Sequence, residues 1–259
     1  MSFEFAIAAV AWVVILVLEG LYPYMPGRQK RLRHAGRNLG VAAINGTIHF
    51  GFGVLTVGLL AWTRRHNFGL LYLISQHEGI RMLAGFILFD IWMYWWHRIN
   101  HERSFLWRFH RMHHTDVKMD STTAMRFHPV EMFFFSLFNM AVLALLGLQV
   151  LHLAVYQAVF FPVFLFHHSN IALPTWYDTA LRAFIVTPNM HRVHHSRHIF
   201  ETNSNYARLF SFWDRLFRTY RKRENPREII FGLEHFREPK WQSLKGMLIT
   251  PLHSSRPIG

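Results

Sequence analysis

The chain has 259 residues, 51% of them hydrophobic and 16% aromatic, which is one domain by length and too apolar for an ordinary soluble one. With 25 Phe and 9 Trp it has the composition of a membrane protein, and the lack of cysteine excludes thiolate metal sites, cysteine nucleophiles and disulfides. A formal net charge of +13 would raise nucleic acid as a partner for a soluble chain, but here Lys and Arg sit in loops beside apolar stretches, so nucleic acid is set aside.

Residues 3–22 are apolar over about the length that crosses a bilayer, interrupted by Glu4 and Glu19 near the ends. This segment has neither a basic leading region nor a small-residue cleavage site, so a retained membrane helix is expected. Pro23, Pro26 and Gly27 end it, and Arg28, Lys30, Arg31, Arg33 and Arg37 crowd the next loop, as in a cytoplasm-facing segment. A second span is expected over 39–62, its five glycines allowing close helix packing; His49 inside it reads as a buried, hydrogen-bonded residue. Residues 68–74 are too short to cross and read as interfacial or re-entrant.

A third span is expected over 82–96, ending in Trp92, Tyr94, Trp95 and Trp96, an aromatic belt of the kind found at headgroup depth. The polar segment 97–128 follows. The apolar stretch 130–166 is long enough to cross twice, bending at Gly147-Leu148-Gln149, with Pro162 kinking the returning helix. From Thr175 onward the chain is polar and basic with short amphipathic pieces, including 208–220, and reads as a peripheral cap. The expected fold is therefore all-α: a multi-pass membrane helical bundle of four to five spans or re-entrant helices under a cytoplasmic helical cap that carries the histidines. The domain reading is membrane spans over 1–81, a catalytic unit over 82–220 and a cytoplasmic tail over 221–259. If the first span enters from outside, the basic loop and every histidine cluster share the cytoplasmic side, in a protein of a bacterial inner membrane.

Histidine is the chemistry-bearing residue, with 19 copies. His97 and His101 are a turn apart on one helix face. His110 and His113 repeat that relation, with His114 on the neighbouring side, and His191, His194 and His195 repeat the His-x-x-His-His spacing downstream. Two such triplets facing each other would form a nearly symmetric binuclear cage. His168 is preferred over its neighbour His167 as a further ligand at the end of the last span. Asp90, two turns before His97, is suited to hold an imidazole by its other N–H, and reads equally well as a helix-packing residue. His128, Glu131, His167 and Asn170 are further supporting candidates, although Glu131 also suits a helix N-terminus. Neutral imidazole serves Zn, Cu, Fe and Ni, so the ligands alone leave the metal open.

Together these residues resemble the fatty acid hydroxylase superfamily, also called the sterol desaturase family, of integral-membrane non-haem di-iron enzymes. The resemblance covers about 82–220 and rests on Asp90, Tyr94, His97-Arg98, His101, His110-Arg-Met-His113-His114, Arg126-Phe-His128-Pro129-Val-Glu131, His168-Ser-Asn170, Thr187-Pro188-Asn-Met-His191-Arg-Val-His194-His195-Ser196, Asn205-Tyr206 and Trp213-Asp214-Arg-Leu-Phe217. It implies that His97, His101, His110, His113, His114, His168, His191, His194 and His195 bind two irons. It also implies O2 as co-substrate, with oxygen inserted into, or hydrogen removed from, a lipid C–H bond. The chain departs from the family pattern where Ala207 replaces the glycine of Asn-Tyr-Gly and Arg218 replaces a glycine after Phe217, which bears on loop geometry and leaves the ligands untouched.

No haem-binding extension, Rossmann glycine fingerprint or cysteine set for an iron–sulfur cluster is present in the sequence, so electrons are expected from a separate protein of ferredoxin or cytochrome type, steered by the basic surface. The substrate could be a sterol, a fatty acyl chain, a sphingoid base, an ether lipid or a carotenoid. Two rival readings are a membrane metal transporter or metal-binding protein and a zinc-dependent lipid hydrolase. Transport sites sit near the bilayer midplane, whereas these clusters sit at span ends. A hydrolase of the His-Glu-x-x-His kind needs a general-base carboxylate within the motif, and neither His-x-x-His-His has one.

Overall fold

The computed structural model describes residues 3–27 and 30–253; Arg28 of the basic loop lies outside the described residues. Twelve α-helices are described within that range. The first seven are α1 (Phe3–Leu21), α2 (Arg31–Arg65), α3 (Leu70–Ile74), α4 (Glu78–Glu102), α5 (Ser104–His114), α6 (Pro129–Leu146) and α7 (Val150–His168). The cap adds α8 (Thr175–Leu181), α9 (Pro188–His194), α10 (Ile199–Thr202), α11 (Phe212–Leu216) and α12 (Leu244–Ile249). Among the described residues β structure is confined to isolated bridges such as Ile185 to Phe210.

Four stretches are long and apolar enough to cross a membrane: Phe3–Leu21, Arg31–Ile74, Pro129–Leu146 and Val150–His168. The expected third span is not among them. Helix α4 buries Arg81, Asp90, His97, Asn100 and His101 along its length, so it is the polar interior helix of the bundle rather than a lipid-facing one. It touches α3, α5, α6 and α7, while α1 packs on α7 and α2 on α6. The second span begins earlier than its apolar pattern suggests, because the basic residues after Lys30 form the first turns of α2. Those turns are tied to the cap: His34 Nε2 lies 2.9 Å from the Asp116 carboxylate and Asn38 donates to Thr122 Oγ1 at 2.9 Å.

The α6–α7 hairpin bends where expected. Gly147 ends α6 with φ of 76° and a side chain there would meet the Phe68 carbonyl, while Gly69, at φ of 120°, has no room for one against Gly147. Helix α7 continues through Pro162. At this end of the bundle Gln149 and His152 hold Glu78 at 3.0 and 2.6 Å. At the other end Glu19 accepts from the backbone of Ser121 and of Asn170, both at 2.8 Å, and pairs with Arg31. The start of α2, the ends of α4 and α7, and the whole cap therefore share one end of the bundle.

The expected amphipathic piece over 208–220 is helical only at Phe212–Leu216. Asp90 accounts for the difference. Its carboxylate accepts from Phe210 N and Trp213 Nε1, holding an irregular cap segment onto α4 before α11 begins.

Candidate metal centre

Four elements bring imidazoles together: the end of α4, all of α5, the end of α7, and α9 with its C-cap His195. Helix spacing does the local work. His97 and His101 project from one face of α4, and on α5 the i, i+3, i+4 set His110, His113 and His114 splits to two sides. Thr187 caps α9 by accepting from Met190 N, with Pro188 as its first residue, so the three histidines that follow are fixed to a short, well-started helix.

The nine imidazoles sort into two groups, His97, His101, His110, His114 and His194 in one and His113, His168, His191 and His195 in the other, each with ligand atoms within 4.8 Å of one another. All nine are buried. The groups are joined through α5 and α9, which each feed both.

Hydrogen bonds to the outer ring nitrogens fix the tautomers. His97 Nδ1 donates to Tyr206 O at 2.7 Å, His194 Nδ1 to Ser204 O at 2.7 Å and His168 Nδ1 to Phe164 O at 2.8 Å. A carbonyl can only accept, so the proton sits on Nδ1 and each Nε2 presents a bare lone pair. Yet His97 Nε2 and His194 Nε2 face each other at 3.0 Å, and His168 Nε2 lies 3.2 Å from His113 Nε2 and 3.0 Å from His191 Nε2. For His97 and His194, whose Nε2 atoms are both bare, the two lone pairs repel unless a cation lies between them. The buried Nε2 atoms of His101, His110 and His114 have no hydrogen-bond partner, which fits the same need.

Burial, reinforced by neighbouring imidazoles, holds His113, His114, His191 and His195 well below the ordinary histidine range, and pushes His194 down to about 3. These rings are therefore neutral, the protonation state that binds a metal. The donor set thus fits two metal ions.

The supporting residues expected from sequence fall in different places. Glu131 is buried and its Oε1 lies 2.7 Å from His110 Nδ1, the carboxylate–histidine pairing that orients a ligand. Asp90 does not reach an imidazole: its oxygens accept from Tyr156, Trp213 and Phe210 N, so it locks the cap to α4 and α7. His128 caps α6 through Val130 N and meets Leu248 O at 3.1 Å, and Asn170 bonds the backbone of Met25 at the end of α7. Neither of those two contacts the imidazole groups by hydrogen bond. His167 is buried with both ring nitrogens unpartnered, its ring 4.3 Å from that of His191, outside both groups.

Sequence reasoning missed the carbonyls of Ser204 and Tyr206 and the side chain of Asn203, which lies 3.3 Å from His101 Nδ1. A backbone acceptor leaves no mark in residue type; only the Asn205-Tyr206 match pointed to this loop. His49, expected to be buried and hydrogen-bonded, is exposed and lines a cavity.

That cavity, of about 800 Å³, runs between α1, α2, α4, α6 and α7. Apolar walls such as Phe52, Phe89, Met93, Leu143, Phe160 and Leu165 lead to His97, His110, His113, His168 and His191. The arrangement defines a class: a membrane helical bundle with a buried polyhistidine centre at the head of an apolar cavity.

Comparison with known proteins narrows the class. The Fatty acid hydroxylase family model matches residues 82–219, just over half the chain, and the chain belongs to that family. It is 28% identical over 230 residues to an ornithine lipid hydroxylase of Rhizobium tropici, covering 85% of this chain and 67% of that protein. It is also 28% identical to human cholesterol 25-hydroxylase, over 83% of this chain and 76% of that protein. Against alkylglycerol monooxygenase of Danio rerio it is 28% identical over 58% of this chain, and it spans only 32% of that protein's length. No solved structure matches.

Proposed function

We propose that this chain is a membrane-bound oxidoreductase that uses O2 to hydroxylate or desaturate a lipid C–H bond, with two iron ions held by the nine imidazoles. The observation that carries the reading is the pair of facing lone pairs on His97 and His194, with the bare Nε2 of His168 close to the Nε2 atoms of His113 and His191, at the head of an apolar cavity. The family membership and the lipid hydroxylases and monooxygenases among the relatives support it.

The number and placement of the imidazoles bear on the rival readings. Protein zinc sites take four ligands, or three plus water; the group of five imidazoles exceeds that number, while the group of four does not. A transport site is expected near the bilayer midplane, whereas the clusters lie at one end of the spans. Glu131, the carboxylate nearest the site, is already engaged by His110 Nδ1 and so is poorly placed as a hydrolytic base.

What two bound irons supply is the electrons and Lewis acidity that O2 reduction requires. The chain's own residues supply the rest. Carbonyls of Tyr206, Ser204 and Phe164 keep the Nδ1 protons of His97, His194 and His168 in place, so the Nε2 atoms stay aimed inward. Glu131 does the same for His110. Met93, Trp96, Phe160 and Phe164 line the approach, exclude water and hold an alkyl chain against the His97 and His113 end. Electrons would come from a separate ferredoxin- or cytochrome-type protein meeting the cap, where Arg103, Arg108, Arg197, Arg221 and Lys222 are exposed. We assign the cap to the cytoplasmic face, the side that the basic residues at the start of α2 favour.

The test is metal analysis of protein purified without an affinity-tag metal, paired with lipid profiling of cells making His113→Ala. Two irons per chain, and loss of the oxidised lipid in the variant with its membrane insertion intact, are expected, because the spans satisfy their backbones without the ligand. Zinc at one equivalent, or unchanged product, would overturn the assignment.

A further inference from the structure

Arg208 places a cation inside the cavity that the protein does not pair. Its guanidinium carbon lies over the rings of Phe164, Phe160 and Phe135, at 4.7, 5.1 and 5.7 Å, and the residue lines the cavity wall. Among the described residues it makes no hydrogen bond and no ion pair. The acidic and hydroxyl groups that face it make no hydrogen bond to it, although the buried Oε2 of Glu131 is without a hydrogen-bond partner. Asp90 accepts from Tyr156, Trp213 and Phe210 N, and Tyr156 spends its proton on that bond. Glu131 turns one oxygen to His110.

Burial lowers Arg208 to about 10, with Tyr156, Glu131 and Asp90 pulling it back up, so it is fully charged at neutral pH. Ring faces offset part of the desolvation of a guanidinium but accept none of its five N–H donors. A charged fork that is kept in an apolar cavity without a protein acceptor is suited to an acceptor that arrives from outside.

We propose that Arg208 binds an anionic oxygen group of the lipid substrate, a carboxylate or a phosphate, and so sets which carbon reaches the histidine centre. The inference rests on the lipid-oxidising reading above and deepens it. The Phe164 ring touches both the Arg208 guanidinium, at 4.7 Å, and the His168 ring, at 4.8 Å, so a single aromatic ring separates the anchor from the candidate ligands. The oxidised carbon then belongs to the part of the lipid next to its charged group. The rest of the molecule has the apolar length of the cavity, past Phe89 and Leu153, in which to lie. A sterol, whose only polar group is a neutral hydroxyl, leaves the guanidinium unmatched.

Binding can be read without turnover, because Trp12 and Trp96 line the cavity and bromine quenches nearby indoles. Full-length iron-loaded protein in a non-ionic detergent is titrated with dibrominated stearate, dibrominated stearyl phosphate and dibrominated stearyl alcohol. The wild type should bind at least one of the two anions about tenfold or more tighter than the alcohol, and the better of the two identifies the group. Arg208→Gln should bind all three alike, Arg208→Lys should keep part of the preference, and alcohol binding should be unchanged in both. No preference in the wild type, or a full preference surviving in Arg208→Gln, would overturn the assignment. Iron content measured on the same samples separates the two ideas: a wild type that takes up no iron sinks the di-iron reading, while the anion preference judges Arg208 alone.

Discussion

At the residue scale the centre is a problem of tautomers. An imidazole can turn either nitrogen inward, and the choice here is made by what each outer nitrogen meets: a carbonyl for His97, His168 and His194, a carboxylate for His110. The same burial makes the metal-free protein sensitive to acid. His194 is pushed from the ordinary 6.5 down to about 3, and His113, His114, His191 and His195 shift in the same direction. Below about pH 6.5 the unfolded chain takes up protons that the folded chain refuses, so the unfolded state binds more protons in that window and stability falls with falling pH. Metal-free protein in detergent should therefore melt at a lower temperature at pH 5.5 than at pH 7.5, across several cooperating rings. A Tm that held or rose on acidification would contradict the neutral assignment of these histidines.

Among the elements, α4 and the loop from Asn203 to Arg221 decide most. Helix α4 carries ligand candidates at its end and a buried acid in its middle, and that acid fastens the cap loop that in turn supplies the Tyr206 carbonyl to His97. The loop is further held by Asp214, whose carboxylate accepts from Tyr206 N at 2.7 Å and Ala207 N at 3.0 Å. Ala207 therefore fits where the family shows glycine. Arg218 is different: it sits at φ of 59°, the left-handed region that glycine occupies without strain, and its side chain is exposed. Arg218→Gly should stabilise the protein by about 1 kcal/mol by relieving that strain. Thermal unfolding of the variant in detergent should show a Tm a few degrees above the wild type, and an equal or lower Tm would mean that the arginine side chain contributes at least as much as its backbone costs.

On the scale of the whole molecule the bundle works as a holder for one apolar cavity closed by a polar head. Residues lining it come from both ends of the spans, with Leu60 and Val150 at the end far from the histidines. Ala154, one turn into α7 from that far end, also lines the cavity. Ala154→Phe should shorten the space, shift the oxidised lipids toward shorter chains and leave metal content unchanged. Lipid profiling of cells making the variant reads this directly, and an unaltered chain-length distribution would show that the substrate does not extend to this end.

Residue type and period determined the helical class, the apolar stretches of α1, α2, α6 and α7, the hairpin at Gly147 and the histidine spacings, because each of these is a local property of i, i+3, i+4 neighbours or of a run of apolar side chains. The apolar count could not separate α4 from a lipid-facing span, since Asp90 and Arg81 are tolerable only once other helices cover them. Nor could spacing divide the nine imidazoles five and four, give His97 a carbonyl, move Asp90 to Tyr156 and Trp213, or turn Arg208 toward a cavity. Those outcomes depend on which backbones from distant parts of the chain end up within hydrogen-bonding distance, and that is fixed by how the helices pack, after every local preference has been met.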